Sequence, residues 1–238
     1  MSMNWLRRKN LKFISLSLIV FFGCGSNPDR VSIVYLFDTS GSFHQNALPD
    51  CLTLAEKIFE EISDVKGDFQ IFPQTHQVST IDASSVKIGK GCSKEVKDSN
   101  LFSSVEENSS IANCLKEVQQ SKRAQYTDIR GALYNASQSL QFKDAFKAII
   151  VFSDLHEDVP EAKTFSYNLK DVSVFVVHEI SIEQINNPSL IDQDKEVFVN
   201  LLIQKGVKKT DIEIMSLKTI GNDPGQVVTF LKNSLLYN

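Results

Sequence analysis

The chain reads as a doubly wound α/β domain, a mostly parallel sheet with helices on both faces. Three observations predict this. Short apolar runs rich in β-branched and aromatic residues recur at Val31 to Phe37 (VSIVYLF), Ala148 to Phe152 (AIIVF) and Val172 to Val177 (VSVFVV). Runs without polar alternation suit strands buried on both faces. Between them lie segments whose apolar residues repeat at helical spacing, and a parallel crossover needs a long connection of that kind.

The elements follow in order. After the first strand, Leu48, Leu52, Ala55, Phe59 and Ile62 form one helical stripe, spaced by four, three, four and three. Gly67 restarts an extended run, Asp68 to Phe72, and residues 78 to 88 offer a further strand. Ile129, Ala132, Leu133, Ala136 and Leu140 make a second helical stripe before the AIIVF strand. A helix carrying Val197, Phe198, Leu201 and Leu202 stops at Gly206, and Asp211 to Leu217 reads as the last strand. Asp223 as N-cap, Pro224 at the first helical position and Gln226 two residues later open the final helix.

With 238 residues the chain holds one core of ordinary size and a short targeting segment, since single cores typically contain about 100 to 200 residues. Hydrophobic residues at 42% and charged residues at 23% sit near globular averages, which argues against disorder and against a multi-span membrane protein. At the N-terminus Arg7, Arg8, Lys9 and Lys12 precede the apolar run Phe13 to Phe22, and Gly23-Cys24 follow. That is the layout of a signal peptide, and the run is roughly half the length a membrane-crossing helix needs. A cysteine after a small residue at the end of such a run resembles the bacterial lipoprotein signal. The resemblance implies a cleaved segment 1–23, lipidation of Cys24, a short linker to residue 30 and a domain over 31–238, held at the bacterial cell envelope. Only its lipid would touch the membrane.

Removing residues 1–23 takes away four of the 25 positive charges and none of the 29 negative ones, leaving a net charge of −8. A surface of that sign repels phosphate backbones, so nucleic acid is not expected as a partner.

In doubly wound sheets ligands bind beyond the C-terminal strand ends, so the residues after each buried strand matter most. The first strand runs into Asp38-Thr39-Ser40-Gly41-Ser42, a carboxylate and two hydroxyls at alternate positions with a glycine for a tight turn. Oxygen ligands of this kind suit a hard cation such as Mg²⁺. FDTSGS resembles the D-x-S-x-S signature of the von Willebrand factor A domain's metal-ion-dependent adhesion site. Thr127-Asp128 is similar to that family's second loop and Ser153-Asp154 to its third. The resemblance spans about residues 31 to 236. It implies a divalent cation, Mg²⁺ or alternatively Ca²⁺ or Mn²⁺, held by Asp38, Ser40, Ser42, Thr127 and Asp154. It also implies a protein ligand that offers an acidic side chain to the metal, and a role in binding rather than catalysis.

Two alternatives stay open. A buried strand ending in FDTSGS also resembles the first motif of haloacid dehalogenase-type phosphatases, with Asp38 as nucleophile, although the second aspartate of that motif is replaced by Ser40. An envelope assembly subunit that docks without metal is the other.

Residues 89–126 make a polar segment that looks like an insertion bordering the metal face, either a partner-specificity element or a plain surface loop. With Cys24 lipidated, Cys51, Cys92 and Cys114 remain. Cys51 lies on the apolar helix stripe as a buried free thiol, so Cys92 and Cys114 are expected to form a disulfide worth about 3 kcal/mol. His44 and His156 flank the metal loops without a partner pattern and receive no role. Glu157 and Asp158 read as a solvated acidic turn.

Overall fold

The computed structural model describes residues 31–40, 43, 47–63, 71–77, 115, 116, 118–120, 124, 126–141, 146–159, 164–221 and 223–237. The segment expected as a signal peptide, Cys24 and the linker expected after it, Ser42, His44, the strand expected over 78–88, Cys92, Cys114 and most of the 89–126 segment lie outside the described residues.

Five parallel strands form one sheet: β1 (Val31–Phe37), β2 (Ile71–Gln77), β3 (Phe146–Ser153), β4 (Val172–His178) and β5 (Ile212–Ser216). Their order across the sheet is β2-β1-β3-β4-β5. Among the described residues four longer helices accompany them: α1 (Leu48–Ser63), α2 (Ile129–Leu140), α4 (Ser189–Gln204) and α6 (Gly225–Tyr237). Two short ones, α3 (Ile182–Asn186) and α5 (Leu217–Ile220), follow β4 and β5.

Successive side chains of a strand point to opposite faces, and here both faces are covered. Ile33, Tyr35 and Phe37 of β1 pack with α1 and α6, and Val34 and Leu36 pack with α2 and α4. β3 and β4 repeat this division, with Ile150, Phe152, Phe175 and Val177 on the first face and Ile149, Val151, Val174 and Val176 on the second. This explains why the sequence runs are continuously apolar. Phe37 and Phe152 are register partners across β1 and β3, and their rings stack at 4.7 Å. Each buried side chain of this size contributes about 1.5–3 kcal/mol.

The connections place a topological switch point between β1 and β3. From β1 the chain passes through α1 on one face to β2, then returns through α2 on the opposite face to β3, on the other side of β1. The chain therefore leaves β1 and β3 toward opposite faces, and their C-terminal ends form the switch point where such sheets bind ligands.

Several expected boundaries shift. The second strand covers Ile71–Gln77 rather than Asp68 to Phe72 and includes Pro73; among the described residues it is an edge strand, where proline is tolerated. The last strand is shorter than Asp211 to Leu217 because Lys209–Asp211 form a 3₁₀ turn and Leu217 begins α5, with Ser216 Oγ accepting from the Thr219 amide at 3.1 Å. The final helix starts at Gly225, and the Asp223 carboxylate accepts from the Gly225 amide at 2.9 Å. The helix read from Val197, Phe198, Leu201 and Leu202 is α4; within it Phe198 and Leu202 are buried and Val197 is 49% exposed, since one step of a helix turns a side chain by about 100°. Leu115 and Val118, near the end of the 89–126 segment, are buried in the core beside α1.

Phe175 is fully buried at the centre of β4 and meets Phe230 of α6 edge to face at 5.4 Å. Phe175→Ala should lower unfolding stability by about 3–5 kcal/mol in denaturant titration. Val197→Ala should change it by less than about 0.5 kcal/mol.

Candidate metal centre

The site is assembled where β1 and β3 end. Asp38 continues the ladder one step past β1, its amide donating to the Phe152 carbonyl at 2.8 Å, which places its carboxylate beside Ser153 with no solvent exposure. Ser153 Oγ donates to Asp38 Oδ2 at 3.0 Å, and the Ser40 amide donates to Oδ1 at 2.8 Å. Each carboxylate oxygen retains further acceptor capacity. Ser40 forms a bridge with Ala124, whose amide donates to the Thr39 carbonyl at 2.9 Å. Thr127, just before α2, donates its hydroxyl to Ser40 Oγ at 2.7 Å across 87 residues of sequence. Asp38, Ser40, Thr127 and Asp154 are all buried. Four of the five residues named from the sequence thus come to one end of the sheet, and Ser42 is outside the described residues.

Electrostatics decide what this arrangement can hold. Burial raises the Asp38 carboxyl above its ordinary range, offset in part by its bonds to Ser40 and Ser153, and the Asp158 charge raises it further. Burial also pushes Asp154 up to about 7, and the nearby Asp38 charge adds to it. The His156 amide, donating to Asp154 Oδ1 at 3.0 Å, and the Ser181 hydroxyl pull the other way. Neither Asp38 nor Asp154 forms a salt bridge among the described residues; the basic group acting on Asp154 is the neighbouring His156, which lowers it only in small part and itself pairs with Asp194. Buried carboxylates are stable as anions only when paired or coordinated. Two carboxylates and two hydroxyls form an all-oxygen donor set, which fits Mg²⁺, Ca²⁺ or Mn²⁺. Among the described residues no group of three or more carboxylate, imidazole or thiolate side chains is gathered for a metal, so a cation here depends on the hydroxyls.

The loops around the site are clamped by residues whose roles the sequence did not disclose. The acidic turn is not simply solvated. Asp158 Oδ1 accepts from the Thr127 amide at 2.5 Å, and Glu157 accepts from the Arg130 amide at 3.0 Å while pairing with its guanidinium. Asp128 caps α2, accepting from the Gly131 amide at 2.7 Å. Glu157 and Asp128 therefore satisfy two of the free amides at the positive end of α2, and Asp158 and Glu157 tie the Thr127 loop and the start of α2 to the loop that follows β3. Leu155, next to Asp154, has φ +64° and is buried; a left-handed non-glycine residue of this kind costs about 1–3 kcal/mol and is held by its packing. Behind it, the fully buried Gln184 donates to the Asp154 carbonyl at 2.8 Å and to Asp194 Oδ2 at 2.9 Å. His156 Nδ1 lies 3.1 Å from the same Asp194 oxygen, so this histidine, given no role from sequence, belongs to the network supporting the loop.

In overall fold the chain is similar to the manganese-loaded TRAP protein of Plasmodium vivax, with 12% identity, 88% of this chain and 74% of that chain covered and a TM-score of 0.45. It is similar to an aerotolerance-related membrane protein from Bacteroides fragilis, with 13% identity, 87% and 100% covered and a TM-score of 0.45. BatB from Bacteroides thetaiotaomicron gives 13% identity, 86% and 98% covered and a TM-score of 0.47. At these values none of them transfers a residue role or a ligand to this chain. No family model matches the chain, and no curated protein matches its sequence at a significant level.

Raising the Asp154 carboxyl from its ordinary range to about 7 has a definite sign. In metal-free protein the proton-bound form favours folding below the unfolded value, and that contribution is lost as pH rises through about 7. In chelator, Asp154→Asn should therefore be more stable than the unmodified chain at pH 8, keep only part of that advantage at pH 5 and lose it below the ordinary carboxylate value of 3.8. Chemical denaturation at both pH values checks it; an advantage that does not depend on pH would contradict the assignment.

Proposed function

We propose that this chain is a lipid-anchored protein of the bacterial cell envelope whose domain is of the von Willebrand factor A type. It binds a protein partner through one divalent cation, Mg²⁺, Ca²⁺ or Mn²⁺. The observation that carries this reading is the convergence of Asp38, Ser40, Thr127 and Asp154, all buried, with no salt bridge to either carboxylate among the described residues. Ser42 joins them by its place in the motif. Asp38 and Asp154 would supply the charge and the three hydroxyls the neutral donors. A cation so held stays short of anionic ligands, and an acidic side chain of the partner would complete its oxygen shell.

The residues themselves have positioning and binding roles in this account and no catalytic one. For a phosphatase with Asp38 as nucleophile, an acid is needed two positions on. Ser40 stands there, and its hydroxyl accepts from Thr127. The acid–base partner of such a reaction has no counterpart in that place.

Calorimetric titration with Mn²⁺ tests the reading. Asp38→Ala and Thr127→Ala should each weaken binding by at least about 100-fold while the fold persists, and Gln184→Ala, which only supports the Asp154 loop, by about 10-fold. Unchanged affinity in folded Asp38→Ala protein would remove the site. Partner capture from envelope extract that survives chelation would favour the metal-independent assembly role.

Burial raises the Cys51 thiol well above its ordinary range, so it should alkylate only after denaturation. Non-reducing peptide mapping with alkylation before and after denaturation should leave Cys51 unmodified in the native protein and show Cys92 linked to Cys114. A bridge to Cys51 would contradict both.

A further inference from the structure

Beyond β4 the chain turns three isoleucines to solvent: Ile180, Ile182 and Ile185 are 42%, 51% and 65% exposed. Ile182 and Ile185 stand three apart in α3 and share one face of it. Ser181 and Gln184 of the same segment are buried, close a reciprocal capping box, and fasten α3 to the carbonyl of Asp154. The isoleucines are thus carried on a turn bound to the candidate metal loop, at the same end of the sheet. Apolar side chains left exposed together on a fixed scaffold mark interaction surfaces.

The charge around them narrows the partner. Asp50, Asp158, Glu179 and Glu183 follow the C-terminal ends of β1, β3 and β4 and are exposed or half-exposed. Asp158 lies near enough to raise Asp38 and Asp50 near enough to raise Glu179, with Lys218 lowering Glu179 from the other side. An acidic rim repels a partner surface of the same sign.

We infer that Ile180, Ile182 and Ile185 form the apolar half of a docking surface for a protein segment carrying one acidic residue, an apolar side chain beside it and basic residues around. The acidic residue rests on the cation reading above. The isoleucines would receive the apolar neighbour and the rim would select the basic surroundings.

The test selects a random peptide library displayed on phage against the full chain, in Mn²⁺ and in chelator, using the unmodified protein, the double variant Ile182→Ser, Ile185→Ser, and the control Val197→Ser on α4. Mn²⁺ titration by calorimetry accompanies each protein. Selection in Mn²⁺ should enrich peptides with a single Asp or Glu, a Leu, Ile, Met or Phe within two residues and a net positive charge. The double variant should keep its Mn²⁺ affinity and bind those peptides about 10–200-fold more weakly, as the loss of apolar contacts implies. The control should bind them unchanged. Mn²⁺ uptake with no enriched sequence, with acidic peptides lacking the apolar and basic residues, or with undiminished binding to the double variant overturns this inference alone. Failure of the unmodified protein to take up Mn²⁺ overturns the cation reading and this inference with it.

Discussion

Two buried carboxylates at the seam between β1 and β3 constrain everything around them. The sheet order forces the chain to leave these neighbouring strands toward opposite faces, which makes their C-terminal ends a switch point and sets Asp38 and Asp154 there. Burial then makes their charge expensive. Hydrogen bonds from Ser40, Ser153 and His156 reduce that cost, and the His156 side chain relieves Asp154 a little further, but neither carboxylate gains a salt bridge among the described residues. An ion with a preference for oxygen answers it most directly.

The same constraint explains the effort spent on loops. Nothing in a strand fixes where its following loop goes, yet two such loops and the start of α2 must meet within hydrogen-bonding distance. Asp158 and Glu157 fasten α2 to the loop after β3, Gln184 and Asp194 hold that loop from α3 and α4, and Leu155 accepts a left-handed backbone to turn it. Ala124 anchors the Ser40 loop from the far end of a long polar segment.

Much of this was legible in the sequence, for identifiable reasons. β1, β3 and β4 lie within the sheet under helices on both sides, so they are apolar throughout and stand out. α1 and α2 present clean stripes because only one face of each is buried. β2 was displaced because an edge strand tolerates polar residues and even Pro73, so no apolar run marks its bounds. The helix carrying Val197, Phe198, Leu201 and Leu202 was legible although only Phe198 and Leu202 of it are fully buried. The place of Asp38, Ser40, Thr127 and Asp154 at one end of the sheet was legible because each lies in a loop just after a strand or just before a helix. Gln184, Asp194 and Glu157 were not, since their partners lie 10 to 30 residues away and no local pattern distinguishes a supporting glutamine or acid from a solvated one.

The most direct test of the account is a crystal structure grown with Mn²⁺, the ion located by its anomalous scattering. The account predicts a single site between Asp38, Ser40, Thr127 and Asp154, with oxygen donors at about 2.1–2.2 Å. An ion held instead by Glu157 and Asp158 at the surface, or no ordered ion at saturating Mn²⁺, would contradict it.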